Sequence, residues 1–275
     1  MSNLTLRIIS AIVLLAIVLP VTWYGGVGFR ILAAVTGLAC LHEWLEMHKG
    51  RIPRALELGS WAVMLVAAAA IVMDAPALST GGYVVLAAVA FGVAGSVLAK
   101  NWASGIGLAY AGLPALAIAK LRGADAEGFA VVLFLFAAVW ATDILAYFTG
   151  RAIGGPKLAP SISPGKTWSG AIGGAAGGVL AAWAVAAAFG KGGDWRLPLI
   201  ALAVSILSQI GDLYESSVKR RAGVKDSSRL IPGHGGVLDR VDGLVAGAVL
   251  LYLIGAIAAG PDSPAQGIMG AITAH

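Results

Sequence analysis

The sequence predicts an all-α integral membrane protein of about nine transmembrane helices, with its N-terminus in the cytoplasm. Three observations carry that prediction. Of 275 residues, 59% are hydrophobic and only 12% charged, about half the ~25% charge of an ordinary soluble chain, so lipid must replace water as the solvent for most side chains. Stretches of about 20 apolar residues, the length that a hydrocarbon core about 30 Å thick requires, recur nine times. Finally, Lys and Arg are distributed unevenly between the two ends of those stretches. The same composition excludes a disordered chain.

In chain order the stretches cover approximately 8–24, 28–47, 57–74, 82–99, 102–119, 127–148, 169–190, 197–218 and 243–260. Their hydrophobicity runs all round rather than along one stripe, as lipid and neighbouring helices both require. No small-residue cleavage site follows the first stretch, which leads at once into the second, so it reads as a span and not a removable signal. The fourth and fifth are separated only by the turn at Lys100-Asn101. Alternating sides from the N-terminus puts Arg30, Lys120, Arg122, Lys191 and Arg196 on one side and the other 14 of the 19 Lys and Arg residues opposite. Positive charge favours the cytoplasm, so the richer side is the inner one. The expectation is a cell (inner) membrane protein whose two long polar loops, 149–168 and 219–242, face the cytoplasm together.

Domain organisation follows chemistry. Residues 1–125 read as nearly plain N-terminal transmembrane helices, and 126–275 as a C-terminal catalytic transmembrane region carrying both loops. The net charge of +5 does not indicate nucleic acid, because most of the chain has no solvent face on which to display it. The lone Cys40 allows no internal disulfide and reads as core filler. His42, Glu43, Glu46 and His48 crowd the inner end of the second span and most simply mark the membrane interface. Along span seven, Gly170, Gly174 and Gly178, with Gly173 and Gly177, repeat at four-residue spacing, a close-packing face that serves either within the chain or in a homodimer.

Polar residues concentrate after position 140. On a helix continuing from span eight, Asp212, Glu215, Ser216 and Lys219 lie three or four apart and share one face; Asp239 and Asp242 share another by the same spacing. Acids within membrane helices are costly and face a partner, the protein interior or a metal. Carboxylates of this kind suit Mg²⁺ held jointly with substrate phosphates; the alternative is a set of ion pairs with the neighbouring Lys and Arg. Asp143, about two turns inside the end of span six, is a candidate functional acid, with a buried hydrogen bond as the alternative. Gly165-Lys166-Thr167 resembles a P-loop only superficially, since Pro160 stands where that motif needs glycine and a span precedes it in place of a strand. What remains is a basic, hydroxyl-rich turn suited to phosphate oxygens, either of a substrate or of lipid headgroups. His234 lies in a glycine turn with no second ligand at zinc spacing, which leaves phosphate contact or a plain turn.

Ser216-Ser217-Val218-Lys219-Arg220, Lys225-Asp226 and Pro232-Gly233-His234-Gly235-Gly236-Val237-Leu238-Asp239-Arg240-Val241-Asp242 together resemble the C-terminal motif of the CDP-diacylglycerol synthases, or phosphatidate cytidylyltransferases. Asp143, Ala146-Tyr147, Gly150-Arg151, Ile162-Ser163-Pro164 and Lys166-Thr167-Trp168 resemble the block preceding it in that family, although Ser169 stands where many members carry an acid. The resemblance implies a nucleotidyltransferase of phospholipid biosynthesis, which transfers CMP from CTP to phosphatidate with Mg²⁺. On that reading Asp212 and Asp239 hold the metal, supported by Asp143, Glu215 and Asp242. Lys166, Lys219, Arg220, Lys225 and Arg240 neutralise triphosphate and lipid phosphate. Ser161, Ser163, Thr167 and His234 contact phosphate oxygens. A CTP-dependent lipid kinase and an ion-coupled transporter are the rival readings. The first would release CDP in place of pyrophosphate, and the second would place its acids along both halves of the bundle and not on one flank.

Overall fold

The computed structural model describes residues 3–270. Among them, nine helices are long and apolar enough to cross a membrane. They are α1 (Asn3–Tyr24), α2 (Gly26–Met47), α3 (Arg54–Val72), α4 (Ala77–Ala99), α5 (Ala103–Arg122), α6 (Ala126–Ile153), α7 (Trp168–Ala188), α8 (Arg196–Ala222) and α9 (Leu238–Ala259), with a short α10 (Pro264–Met269) after them. The apolar stretches and these helices correspond one to one. The differences lie at helix ends: α1, α4 and α9 begin earlier than hydropathy suggested, at Asn3, Ala77 and Leu238, and α6 and α8 run further, so Asp239 and Asp242 lie within a helix. Between α6 and α7 the expected turn is a small antiparallel hairpin, β1 (Lys157–Ala159) and β2 (Ser163–Thr167), with Lys157 opposite Thr167 and Ala159 opposite Ser163.

The chain forms two compact units: Met1–Ala124 with Ala222–Val241, and Asp125–Arg221 with Asp242–His275. In the first, α5 is the central helix, packed by α2, α3 and α4. Its small residues let neighbours approach closely. The Trp44 indole lies against Gly107 and donates to the Ala103 carbonyl at 2.8 Å. Lys100 ends α4 in the left-handed conformation, φ 54°. Asn101 then serves both helices, donating to the Ala99 carbonyl at 3.0 Å and accepting from the Ala103 amide at 3.0 Å, which is how so short a turn reverses the chain.

The charges of this unit sort by end. Arg30 (2.6 Å) and Lys120 (3.0 Å) both pair with Asp74. Burial alone would raise the Asp74 carboxyl, but the hydrogen bond and charge of Lys120, with Arg30, hold it below its ordinary range. Nearby, buried Arg122 donates to the Trp23 carbonyl at 2.7 Å and to that of Thr22, satisfying carbonyls at the end of α1 that lack helical partners. At the opposite end Asn101 donates to the Arg51 carbonyl at 2.9 Å, and Arg7 to that of Gly233 at 3.0 Å. Arg30, Lys120 and Arg122, which alternate counting assigned to one side, therefore share an end of this unit.

The second unit is built on α6 and α7. An added Cβ would lie 2.7 Å from the Ala146 carbonyl at Gly170, 2.6 Å from that of Thr142 at Gly174 and 2.7 Å from that of Ala138 at Gly178. The glycine face is thus consumed within the chain, and it no longer argues for a homodimer. Below it, buried Thr142 and Ser205 hydroxyls meet at 2.7 Å, joining α6 to α8. At Gly211, α8 comes so near α9 that a Cβ would sit 2.9 Å from the Asp242 carbonyl.

Candidate active site

The second unit assembles the acids of span eight with one from α9. Asp212 and Glu215 are three apart on α8 and so share a face. Gly211, lacking a side chain, admits the backbone of Asp242 beside them. One carboxylate oxygen from each of Asp212, Glu215 and Asp242 lies within 4.8 Å of the others, an arrangement able to hold a metal ion. Asp143 on α6 is exposed and near enough to Asp242 for their charges to interact.

Cations face this cluster. Lys166, on β2, forms an ion pair with Asp212. Lys219 pairs with Glu215 at 3.1 Å, one turn along α8, and Ser216 donates to Asp212 at 3.3 Å. Glu215 and Lys219 are both buried, so each charge depends on the other in a medium that tolerates neither alone. Arg220 is exposed at the end of the helix. Of the hairpin hydroxyls, Ser161 is exposed in the turn and Ser163 half-buried at the start of β2. Thr167 is placed differently from expectation: it is buried and caps α7, accepting from the Gly170 amide at 3.1 Å. Its hydroxyl orients the helix that follows the hairpin.

The first unit holds the glycine-rich loop between α8 and α9. Lys225 and Arg240 are exposed. His234 sits in a tight turn closed by Ile231 and Gly235, whose backbones pair at 2.8 Å, and its Nδ1 is buried with no hydrogen-bond partner among the described residues. Asp239 Oδ2 accepts from the Gly236 amide at 2.8 Å and from the Ser227 amide at 2.9 Å.

The residue that sequence reasoning missed is Glu43. Three neighbours behave as interface residues: Glu46 is exposed and lies 3.5 Å from Lys49, His42 tilts against Trp61, and His48 stacks on Trp44 at the end of α2, its imidazole held below the ordinary range by burial. Glu43 is 0% exposed and accepts four hydrogen bonds from the loop: Ser227 Oγ (2.8 Å), Ser228 Oγ (2.6 Å), and the amides of Val237 (2.8 Å) and Leu238 (2.7 Å). The only signal in the sequence was an acid inside an apolar run, which required donors from somewhere.

Carboxylates clustered with lysines on membrane helices suit a divalent metal together with phosphate oxygens. Comparison with known proteins points the same way. The model of the cytidylyltransferase family matches residues 5–258. The phosphatidate cytidylyltransferase of Brucella suis biovar 1 (strain 1330) is 53% identical over 269 residues, 96% of this chain and 97% of that protein. The protein of that name from Staphylococcus epidermidis (strain ATCC 12228 / FDA PCI 1200) is 33% identical over 268 residues, 90% and 97% of the two chains. One from Haemophilus influenzae is 48% identical over 126 residues, 44% of this chain and 43% of that protein.

Proposed function

We propose, for a chain that belongs to the cytidylyltransferase family, that it transfers CMP from CTP to phosphatidate, forming CDP-diacylglycerol and pyrophosphate at the cytoplasmic face of the cell (inner) membrane. The observation that carries this reading is the trio Asp212, Glu215 and Asp242 on helices otherwise built for lipid, with Lys166 of β2 paired to Asp212 and Lys219 to Glu215. A phosphate oxygen of phosphatidate attacks the α-phosphorus of CTP. One P–O bond forms, the bond to the β-phosphate bridge breaks, and pyrophosphate leaves with that electron pair. The nucleophile is already ionised, so no strong general base is needed. The barrier is the approach of two polyanions, and cations lower it.

Asp212, Glu215 and Asp242 fit a hard divalent cation by their all-oxygen donor set, and we assign them to Mg²⁺, with Asp143 in support. When bound, the ion would supply charge neutralisation at the triphosphate. Lys166 and Lys219 hold the acids in place and add positive charge beside them. Arg220, Lys225 and Arg240 are assigned to phosphate oxygens, with Ser161, Ser163 and His234 as hydrogen-bonding groups. Asp239 is assigned as a further metal-directed acid; its loop hydrogen bonds would orient it, as ligating carboxylates are commonly oriented.

The test is to incubate detergent-purified protein with labelled CTP, phosphatidate and Mg²⁺ and identify both products. CDP-lipid and pyrophosphate in equal amounts are expected. Accumulation of CDP without CDP-lipid would overturn the reading in favour of a lipid kinase.

A further inference from the structure

We infer that Glu43 is a positioning residue for this reaction: a buried carboxylate on α2 that fixes the loop 227–238, and with it the first turn of α9, in the conformation that turnover requires. The inference rests on the proposed transfer activity.

The argument begins at the end of a helix. The Val237 carbonyl accepts from the amides of Arg240 at 3.0 Å and Val241 at 3.2 Å, so Val237 occupies the N-cap position of α9. The first amides of a helix have no acceptor within it, and a buried helix start needs one from elsewhere. Glu43, from a helix 194 residues or more away in sequence, accepts the N-cap and N1 amides, those of Val237 and Leu238, on separate oxygens. Its negative charge also lies where the helix dipole favours one.

The other two donors extend the hold across the loop. Ser228 bonds one Glu43 oxygen and Ser227 the other. Each oxygen therefore has two donors, which saturates a carboxylate. Asp239 Oδ2 accepts from the Ser227 amide and lies 3.0 Å from its hydroxyl, so Glu43 and Asp239 hold the same serine. No room is left around Glu43: a Cβ on Gly236 would stand 2.5 and 2.6 Å from its two carboxylate oxygens. The loop ends are thus joined through one side chain, and between and beside them lie His234, Asp239 and Arg240, the residues assigned to phosphate and metal.

Glu43→Gln keeps one acceptor oxygen but turns an amide N–H₂ toward two donors. The experiment measures kcat and KM for CTP at saturating phosphatidate and Mg²⁺, per mole of monodisperse folded protein and well below the melting temperature. Hydrogen exchange across 225–240 is read in parallel. The expected result is a kcat at least tenfold lower, with loop amides exchanging at least tenfold faster. A purely structural role would lower the melting temperature and leave kcat of the folded protein within twofold of the parent, which overturns the inference. A fall in kcat with unchanged exchange also overturns it, since the effect would not pass through the loop. Should Glu43→Gln fail to fold, Ser228→Ala removes one donor only. A severalfold loss of kcat supports the inference, and the parent's kcat sinks it. A parent protein that makes no CDP-lipid would refute the proposed function, while the exchange measurement would still report on the loop anchor.

Discussion

Alanine at Gly174 adds one methyl group at the closest approach of two membrane helices. Its Cβ would stand 2.6 Å from the Thr142 carbonyl and 2.8 Å from the Ala146 side chain. Ordinary contact starts near 3.4 Å, so α7 must retreat from α6 by roughly 0.8 Å or bend. Overpacking of this kind costs about 1–3 kcal/mol, and separating the backbones also weakens Cα–H···O contacts worth about 0.5–1 kcal/mol each. Against that, alanine is the better helix former by about 1 kcal/mol. With one such contact weakened, the net expectation is a loss of about 0.5–3 kcal/mol. Gly82→Ala on α4 is the matched control, because nothing lies within 4 Å of its would-be Cβ and only the propensity gain remains. Thermal unfolding in detergent, followed by fluorescence-detected size exclusion, should place Gly174→Ala several degrees below the parent and Gly82→Ala at or above it. Gly174→Ala melting at or above the parent would refute the reasoning that the glycine face is required by contact with α6.

Three further outcomes are expected. Asp212→Asn and Asp242→Asn, made singly, should each raise the Mg²⁺ concentration needed for half-maximal activity and lower turnover on the order of 100-fold; an unchanged Mg²⁺ titration would remove the residue from the metal assignment. Gly236→Ala should reduce CDP-lipid formation at least tenfold by displacing Ser227 and Glu43, and wild-type turnover would show that the loop can shift without consequence. Outside the membrane spans, the hydrogen bond from Arg196 holds the Asp194 carboxyl below its ordinary value, with burial opposing and the Arg196 charge assisting. A carboxyl depressed on folding stabilises the protein above its unfolded pKa of about 3.9, and that contribution is lost as pH falls through the lower folded value. Asp194→Asn should therefore lower the melting temperature at pH 7 and narrow its gap to the parent below about pH 4; a gap independent of pH would contradict the assignment.

The spans were legible because lipid imposes a simple rule, about 20 apolar residues per crossing, and a polar residue in such a run is conspicuous. Boundaries differed where polar residues continue a helix: α1 runs back through Arg7 and α4 through Ser79 and Thr80, α8 ends at Ala222, and α9 begins before Asp239. Hydropathy stops at charge, whereas a helix stops only when its hydrogen bonds do. The hairpin escaped because Ser163-Pro164-Gly165-Lys166-Thr167 has the composition of a turn, and only pairing with Lys157–Ala159 makes it a strand.

Glu43 and Asp212 separate what a sequence can disclose about a buried acid from what it cannot. Both stand in apolar runs, so both needed partners. For Asp212 one partner is local: Ser216 follows one turn on and donates to it, and spacing alone put the two on one face, while Lys166 comes from β2. For Glu43 every loop donor comes from 227–238, and two of the four are backbone amides, which carry no residue identity at all. Its immediate neighbours, His42, Glu46 and His48, pointed instead to a membrane interface. The burial cost of a carboxylate is thus readable at its own position, while the groups that offset it are readable only when they are side chains at helical spacing. An acid with no partner in its own span, as Glu43 has none, must on that argument draw its donors from a distant segment, and half of those that Glu43 draws are the amides of a helix start.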